Sequence, residues 1–276
     1  MYRIIQTLAA LGLLYGLASA PALAQSIDLS SMRAVDLTHA FDRNTLYWPT
    51  SPTGFELKPL HKGPTPLGFY YAAYSFCAPE HGGTHLDAPA HFAEGVWASA
   101  EIPVKRFIGP AVVIDVSAKA QENPDYVLSV ADVMDFEAKH GKIQPGSTVL
   151  LRTGWSARWP DQDAYFGDDT PGDASKLHFP SYGLEAATLL IRERQVGTIG
   201  VDTASIDPGT SRDFQVHRLA AANNVLGLEN LANLDALPPK GATLIALPMK
   251  IAGGSGAPLR AIALVPDVGR NEERGR

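Results

Sequence analysis

Metal-binding side chains are concentrated in one stretch of this sequence, residues 81–92, which read His-Gly-Gly-Thr-His-Leu-Asp-Ala-Pro-Ala-His-Phe. Three of the eight histidines of the chain lie there, His81, His85 and His91, together with the carboxylate of Asp87. Imidazole and carboxylate groups are typical ligands of zinc and manganese. Four such groups in so short a span predict a site for a divalent metal, and metal-activated water as the reagent.

The backbone of this stretch is predicted to be extended or irregular. His81 and His85 are four residues apart, which would place both rings on one face of a helix, but two glycines and a proline disfavour a regular helix. In an extended chain, residues two apart point to the same side. His85 and Asp87 therefore form a convergent pair, with one further imidazole on either side.

The same stretch resembles the signature of the metal-dependent cyclase family, His-x-Gly-Thr-His-x-Asp-x-Pro-x-His-Phe, at every fixed position. That family includes bacterial kynurenine formamidases and isatin hydrolases. The resemblance implies that His81, His85 and Asp87 hold a metal and that His91 is the general base and acid. A role of His91 as a further ligand is the alternative.

A second block of the same family consists of a histidine followed twelve residues later by a glutamate and Asn-Leu, as in His217 and Glu229-Asn-Leu231. Alone, His217 would be an ordinary helical histidine and Glu229 a solvated carboxylate. The resemblance implies that His217 and Glu229 are ligands, with Asp87 and Glu229 bridging the first ion to a second, which His217 completes. Nearby, Asp202 and Asp207 are interpreted as turn and strand-end hydrogen-bonding groups.

Trp48 is the candidate substrate-binding residue. It lies in a loop that follows a predicted strand at residues 33–41, and in the resembled family an aromatic side chain at this point packs on the substrate ring. Packing in the core is the alternative for a lone tryptophan. The resemblance to the family runs from about residue 34 to residue 266. Near its end, the glycine-rich segment 253–258 resembles the segment that ends the family fold.

Alternating strands and helices predict an α/β architecture. Strands are expected at 112–116, 148–152 and 198–202, and Ser129 with Asp132 forms a capping box that predicts a helix ending at Gly141. A second capping box, Thr210 with Asp213, predicts the helix that carries His217. The resemblance implies a single domain with a mixed central sheet and flanking helices, of the swivelling β/β/α type.

Residues 156–182 have no clear period and are rich in Asp, Gly, Pro and aromatic residues. A segment of this kind indicates a lid, a specificity loop or a subunit arm. The resemblance implies a homodimer or homotetramer, with Trp155, Trp159 or this segment as contact candidates.

The N-terminus predicts export. Residues 1–24 contain an apolar run that ends in Ala22-Leu23-Ala24, typical of a signal peptide cleaved after Ala24, so residues 25–276 would form a mature periplasmic hydrolase domain. An uncleaved membrane anchor is the alternative. Cys77, the only cysteine, excludes an intramolecular disulfide and is expected to be buried in a strand, although it could in principle bind metal.

The composition of the chain limits which partners are expected, and the predicted metal ligands limit which reactions are expected. The formal net charge is -6 with no basic block, so nucleic acid is not an expected partner. Together with the resemblance, the ligands predict metal-dependent hydrolysis of a carbon-nitrogen bond in a small arylformamide or cyclic amide, with zinc or manganese as cofactor. The alternatives are a cyclase or dehydratase acting on a polyketide-like substrate and a non-catalytic periplasmic binding protein.

Overall fold

A closed barrel of seven strands forms the centre of the structure, a computed structural model in which residues 29–267 are described. The strands in this range are β1 (Met32–Asp36), β2 (Glu56–Pro64), β3 (Tyr70–Cys77), β4 (His85–Asp87), β5 (Ile108–Asp115), β6 (Val127–Leu128), β7 (Thr148–Arg152), β8 (Ser181–Tyr182), β9 (Thr198–Val201), β10 (Leu226–Glu229), β11 (Lys240–Pro248) and β12 (Gly256–Pro266). The ring runs β12-β11-β5-β7-β9-β10-β4, and β4 pairs again with β12. The barrel thus closes at β4, which carries two of the predicted ligands.

The sheet is mixed in direction. The four strands β5, β7, β9 and β10 are parallel, while β4, β11 and β12 pair antiparallel with their neighbours and β1 is attached to β12 outside the ring. The predicted mixed α/β fold in a single domain is confirmed. The prediction of a central sheet flanked by helices is corrected in one respect: the sheet closes into a barrel, and the helices are few.

The barrel has a core on each side of its wall because successive side chains of a strand point in opposite directions. In β7, Leu150 packs inside with Leu86 and Leu228, while its neighbours Val149 and Leu151 belong to a second buried cluster. Buried side chains of the helices complete that second cluster, among them Val133, Ala187 and Val216. The barrel is therefore filled with side chains and is not a channel.

Five α-helices lie in the described range: α1 (Ser117–Glu122), α2 (Val130–His140), α3 (Gln162–Phe166), α4 (Leu184–Thr188) and α5 (Gln215–Ala222). The capping box predicted for α2 is present, since Ser129 Oγ accepts from Asp132 N and the Asp132 carboxylate accepts from Ser129 N. Gly141 follows the last residue with φ 79°. The start and end of this helix were thus predictable from sequence.

Strands β2 and β3 form a separate two-stranded antiparallel ribbon that does not join the barrel. Cys77 is the last residue of β3, so the prediction that it lies in a strand is confirmed, but the prediction that it is buried is wrong because its side chain is exposed. The alternation of the run 71–77 indicated a strand correctly. It could not show that this strand pairs only with β2.

The predicted signal peptide, residues 1–24, and its cleavage point after Ala24 lie outside the described residues. Across residues 29–267, no helix combines the length and apolar character needed to cross a bilayer.

Candidate metal centre

The position of the site follows from the register of β4 between its two neighbours. His85 lies opposite Glu229 of β10, and Asp87 lies opposite both Gly227 of β10 and Gly256 of β12. The sheet itself therefore brings Glu229 to His85 across 144 positions of sequence, the difference between their numbers.

Two overlapping groups of side chains can hold a cation here, and in each group the ligand atoms lie within 4.8 Å of one another. The first contains His81, His85 and Asp87. Asp87 Oδ1 lies 2.6 Å from His81 Nδ1 and 3.2 Å from His85 Nε2. These are the three ligands that lie close together in sequence.

The second group consists of Asp87, His217 and Glu229, all buried. His217 Nε2 lies 3.1 Å from Asp87 Oδ2 and 3.1 Å from Glu229 Oε1. Asp87 offers one carboxylate oxygen to each group, so it has the geometry of a bridging ligand. All five predicted ligands are brought together by the fold.

The buried ring of His85 provides a direct test of whether a metal fits. A carbonyl oxygen can only accept, so His85 Nδ1 must donate its proton to Gly83 O at 2.9 Å. This leaves the lone pair of Nε2 facing Asp87 Oδ1 and Glu229 Oε2, 3.2 and 3.4 Å away, and this buried atom has no hydrogen-bond partner among residues 29–267. A nitrogen lone pair facing two carboxylates is unfavourable unless a cation lies between them, so these residues fit a divalent metal.

His217 has the same arrangement, and its outer partner is Asp207. The imidazole donates through Nδ1 to Asp207 Oδ2 at 2.7 Å, which turns Nε2 towards Asp87 and Glu229. Hydrogen bonds of this kind fix the tautomer and orientation of metal-binding histidines. Asp207 thus belongs to the site, a role that its position in a turn did not indicate.

Asp207 also caps α5. Its carboxylate accepts from the backbone N–H groups of Val216 and His217, each at 2.9 Å. The predicted capping box of Thr210 and Asp213 is therefore wrong. Phe214 is the N-cap residue, with a left-handed backbone (φ 50°, ψ 49°) and no side-chain cap of its own. One carboxylate from outside the helix fixes both the start of α5 and the ring that α5 carries.

His81 is oriented by a serine from the glycine-rich segment. Ser255 Oγ donates to Glu80 Oε2 at 2.8 Å, so it must accept from His81 Nε2, also at 2.8 Å. The Nδ1 lone pair of His81 then faces Asp87. Gly256 is required beside this ring, because a Cβ there would lie 2.6 Å from His81 Cε1.

Asn230, the residue after Glu229, secures the carbonyl that orients His85. Its Nδ2 donates to Gly83 O at 2.8 Å, and its Oδ1 accepts from the hydroxyl of buried Tyr165 at 2.9 Å. Asn230 has φ 53°, a left-handed conformation that asparagine adopts more easily than most residues. In the second sequence block, Glu229 is thus a candidate ligand, and Asn230 supports the orientation of a different candidate ligand, His85.

The neighbouring carboxylates raise the pKa values of the two buried histidines, His85 and His217, whereas burial alone would lower them. Burial favours neutral His85, but the close contact with the Asp87 carboxylate and the charges of Asp87 and Glu229 raise the pKa of His85 to about 9. For His217, burial likewise acts against the charged form, and the bonds to Asp207, Asp87 and Glu229 raise its pKa well above the usual value. The carboxylates therefore attract positive charge to this point of the structure.

His91 differs from these three histidines. Its ring stacks on that of His81, with centroids 3.7 Å apart and planes 15° apart, and it belongs to neither ligand group. No hydrogen bond to its ring is formed by any residue in the described range. Burial, together with repulsion from neighbouring imidazoles, lowers the pKa of His91 to about 4 although Asp87 acts in the opposite direction. This leaves a neutral, unengaged imidazole beside the ligands.

A cavity of about 250 Å³ opens above the ligands and has mostly aromatic walls. Its wall includes His91 and Trp48, and the Trp48 ring packs against Phe166, Phe179 and Phe214 at centroid distances of 6.0 to 6.4 Å. The structure thus places Trp48 at the cavity, and the same ring also packs against a buried aromatic cluster. Phe92 and Phe214 also line it, and both also contact the His217 ring.

Residues 156–182 pack into the protein core and contribute to the wall of the cavity. Tyr165, Phe166, Leu177 and Phe179 are fully or almost fully buried, and Phe166 reaches the cavity. Trp155 is only 2% exposed and its Nε1 donates to Tyr165 O, so it is not available as a subunit contact. Most of the large side chains of this segment therefore belong to the core.

Comparison with known proteins agrees with this geometry. The family model described as "Putative cyclase" matches residues 35–208, more than half of the chain and including the whole 81–92 stretch. The chain belongs to the cyclase family. The resemblance to the family is thereby confirmed; the first sequence block lies within the matched range, and the second, residues 217–231, lies beyond it.

Individual relatives of this cyclase-family chain are hydrolases by name. It is 40% identical over 195 residues to an isatin hydrolase of Roseibium aggregatum, a match that covers 68% of this chain and 72% of the relative. It is 31% identical over 189 residues to a kynurenine formamidase of Salinibacter ruber, covering 66% and 74%.

Solved structures of cyclase-family relatives share the fold. Isatin hydrolase A from Labrenzia aggregata, bound to benzyl benzoate, superposes with a TM-score of 0.78 at 35% identity, over 86% of this chain and 95% of that one. An isatin hydrolase bound to the product analogue thioisatinate gives 0.77 at 32% identity, over 86% and 94%. The prediction of a hydrolytic enzyme of this family is thus confirmed, while the substrate is a separate question.

Proposed function

We propose that this protein is a metal-dependent hydrolase that opens the carbon-nitrogen bond of a small cyclic amide fused to an aromatic ring, as in isatin. The observation that carries the proposal is the buried Nε2 atom of His85, which faces two carboxylates directly below an aromatic cavity. The higher identity to an isatin hydrolase favours a cyclic amide over an arylformamide.

Five side chains would hold the metal. His81, His85 and Asp87 suit one ion, and Asp87 with His217 and Glu229 suits a second. Nitrogen and oxygen ligands are compatible with both zinc and manganese. When bound, a divalent cation here supplies Lewis-acid chemistry, which makes water acidic enough to ionise near neutral pH.

His91 is the residue we assign to proton transfer. It would accept a proton from the water whose oxygen bonds to the amide carbon, and return that proton to the nitrogen as the carbon-nitrogen bond breaks. Its place on the cavity wall and its ring free of hydrogen bonds within the described chain support this role. A role as a further ligand has less support, because its nitrogens are in neither ligand group.

The aromatic walls would orient the substrate. Trp48 and Phe214 lie with ring centroids 6.0 Å apart, and Phe92 lies 5.4 Å from Phe214, so three rings meet at one side of the cavity. Aromatic rings pack on one another in offset or edge-to-face arrangements at such distances. A planar bicyclic substrate fits the chemistry of these walls better than a flexible aliphatic one.

The experiment is an activity assay of purified protein reloaded separately with zinc and with manganese. Isatin, an arylformamide and a simple aliphatic amide are compared, metal content is measured by elemental analysis, and products are identified by mass. Hydrolysis of isatin with addition of one water is the expected result. Preference for the arylformamide would support the second candidate, loss of water would support a dehydratase, and binding without turnover would support a binding protein.

We also propose that the mature chain begins after Ala24 and is periplasmic, which rests on the N-terminal sequence alone. N-terminal sequencing of protein recovered from the periplasmic fraction tests this, and an intact Met1 would contradict it. We further propose that the barrel is the swivelling β/β/α type of the family.

A further inference from the structure

Phe214 has a backbone conformation that bulky side chains rarely adopt. Its φ of 50° and ψ of 49° are left-handed. Within residues 29–267, five residues other than glycine have positive φ; three of them are asparagines, which adopt this conformation comparatively easily, and one is Gln195. Phe214 is the only one of the five with an aromatic side chain. This conformation costs free energy in a residue of this size, so the surrounding structure must stabilise it.

Phenylalanine is also an unfavourable residue at the start of a helix. Phe214 is the N-cap residue of α5, a position that favours side chains able to accept from the first helix amides, such as Asn, Asp or Ser. The Phe214 side chain cannot do this, and Asp207 accepts from the amides of Val216 and His217 instead. A residue that goes against two local preferences at once is expected where its side chain has a function.

Hydrogen bonds on both sides hold Phe214 in this conformation. Its N–H donates to Ser211 Oγ at 3.2 Å, and its carbonyl oxygen accepts from Arg218 N at 3.0 Å. Together with the two amides that donate to Asp207, these bonds fix the backbone at the start of α5. The Phe214 ring is therefore held relative to the candidate ligand His217, three residues further along, with ring centroids 5.9 Å apart.

The Phe214 ring forms part of the wall of the cavity above the candidate metal centre. It packs against Trp48 and Phe92, at 6.0 and 5.4 Å between centroids. Trp48 in turn contacts the buried rings of Phe166 and Phe179. The cavity measures about 250 Å³, less than the roughly 300–1,000 Å³ of pockets for drug-sized ligands. In so small a space, one ring in the wall has a large effect on what can bind.

We propose that Phe214 is a specificity-determining residue that limits the cavity to two fused rings; this rests on the proposed function, in which the cavity binds the aromatic part of the substrate. A ligand anchored at the metal-binding side chains extends towards the ring of Phe214. Because the start of α5 fixes this ring relative to His217, the space between them has a set length. Removing the ring would add space beside the bound ligand, and a larger ring would take space away.

The test is equilibrium binding of benzoate, naphthoate and anthracene carboxylate, which have one, two and three fused rings, to metal-loaded protein by calorimetry. Wild type should bind naphthoate best. Phe214→Asn should bind naphthoate about tenfold more weakly, since one ring contact is lost, and should bind anthracene carboxylate more tightly than wild type does. Phe214→Trp should shift the preference in the opposite direction, towards benzoate. Opposite shifts of this kind do not arise from a general packing defect.

These acids have no amide bond, so their binding does not depend on whether the protein hydrolyses isatin. The proposal is overturned if the ratio of naphthoate to anthracene carboxylate affinity is the same in wild type and both variants, or if wild type binds none of the acids. Isatin hydrolysis with unchanged ratios would leave the proposed function standing without this role of Phe214. Shifted ratios without hydrolysis would support the role of Phe214 and contradict the proposed function.

Urea unfolding distinguishes this role from a merely structural one. Asparagine tolerates positive φ and caps helices, so Phe214→Asn should unfold at a urea midpoint equal to or above that of wild type. Phe92→Asn is the matched control, because Phe92 contacts the same ring but has an ordinary φ of -124°. It should unfold at a lower midpoint, since no strain is relieved. If Phe214→Asn is destabilised as much as Phe92→Asn, Phe214 serves packing and the proposal is wrong.

Discussion

Asp207 Oδ2 accepts the Nδ1 proton of His217 at 2.7 Å, and the same carboxylate caps the helix that carries this histidine. The candidate metal centre therefore depends on a residue that binds no metal itself. Similar anchors hold the other two rings, Gly83 O for His85 and Ser255 for His81. In each case the outer nitrogen donates, so that the inner nitrogen is left with a lone pair directed at the carboxylates.

Replacing Asp207 with asparagine is expected to weaken metal binding about 10–100-fold, the usual loss when the outer partner of a metal-binding histidine is changed. The single side-chain oxygen of asparagine can still accept from one amide of the helix, so α5 should persist. Metal affinity is measured by competition with a chelator, with helicity followed by circular dichroism. The control is Asp213→Asn, whose exposed carboxylate contacts Gln215 near the same helix start. Equal affinities of the two variants would contradict the assigned role.

Replacing His91 with alanine is expected to lower kcat about 10²–10⁴-fold, the range typical of a lost general base, while metal content stays near that of wild type. Replacing His85 with alanine should lower both kcat and metal content, because His85 belongs to the ligand group of His81, His85 and Asp87. Elemental analysis and initial rates on the same preparations distinguish the two. If His91→Ala loses metal as His85→Ala does, His91 is a ligand.

Replacing Trp48 with leucine is expected to raise KM for aromatic substrates about tenfold, equivalent to the loss of ~1.4 kcal/mol of contact with the substrate ring. An aliphatic amide should be affected much less. Trp97→Leu is the matched control, since Trp97 packs against the barrel core and contacts Arg106. A similar KM change for aromatic and aliphatic substrates would indicate a general packing defect.

Replacing Asn230 with glycine keeps a residue that tolerates φ 53° but removes both side-chain hydrogen bonds. The Tyr165 hydroxyl and Gly83 O each lose a partner, so metal affinity should fall about tenfold. The control is Asn233→Gly, with φ 55° and a side-chain bond to Asp36 O. Chelator competition should separate the variants, whereas equal affinity would show that Asn230 does not position His85.

The stability of the protein should fall as the pH is lowered from about 6.5 to 4, partly because of His39. Burial lowers the pKa of His39 to about 4, below its ordinary 6.5, and its ring stacks on Trp159 with centroids 4.4 Å apart. The unfolded chain therefore takes up a proton first, which favours unfolding in this window.

Replacing His39 with phenylalanine keeps a ring against Trp159 and removes this titration. Between pH 7 and pH 4.5, the free energy of unfolding should fall by about 1–2 kcal/mol less in the variant than in wild type. This difference allows for screening by solvent, because the His39 ring is partly exposed. Urea unfolding at the two pH values measures the difference. Parallel pH profiles would show that His39 does not contribute.

Local sequence features were sufficient wherever the interaction itself is local. Ser129 and Asp132 predicted the start of α2 because a capping box spans only four residues. His81, His85 and Asp87 predicted a metal-binding cluster because the three lie close together in sequence, and an extended strand brings His85 and Asp87 to one side. The second capping box failed because α5 begins only at Gln215, and two of its first amides, those of Val216 and His217, donate to Asp207 instead.

The sequence by itself determined the ligand types, the family and the α/β class, because these depend on residue identity and short-range periodicity. Only the tertiary structure decided that β4 closes a barrel between β10 and β12, which sets Glu229 opposite His85. It also decided that Asp207, Asn230 and Ser255 orient the ligands, and that the ribbon of β2 and β3 stands apart from the barrel. These relationships arise from strand register and packing between residues distant in sequence, for which a single sequence contains no local pattern.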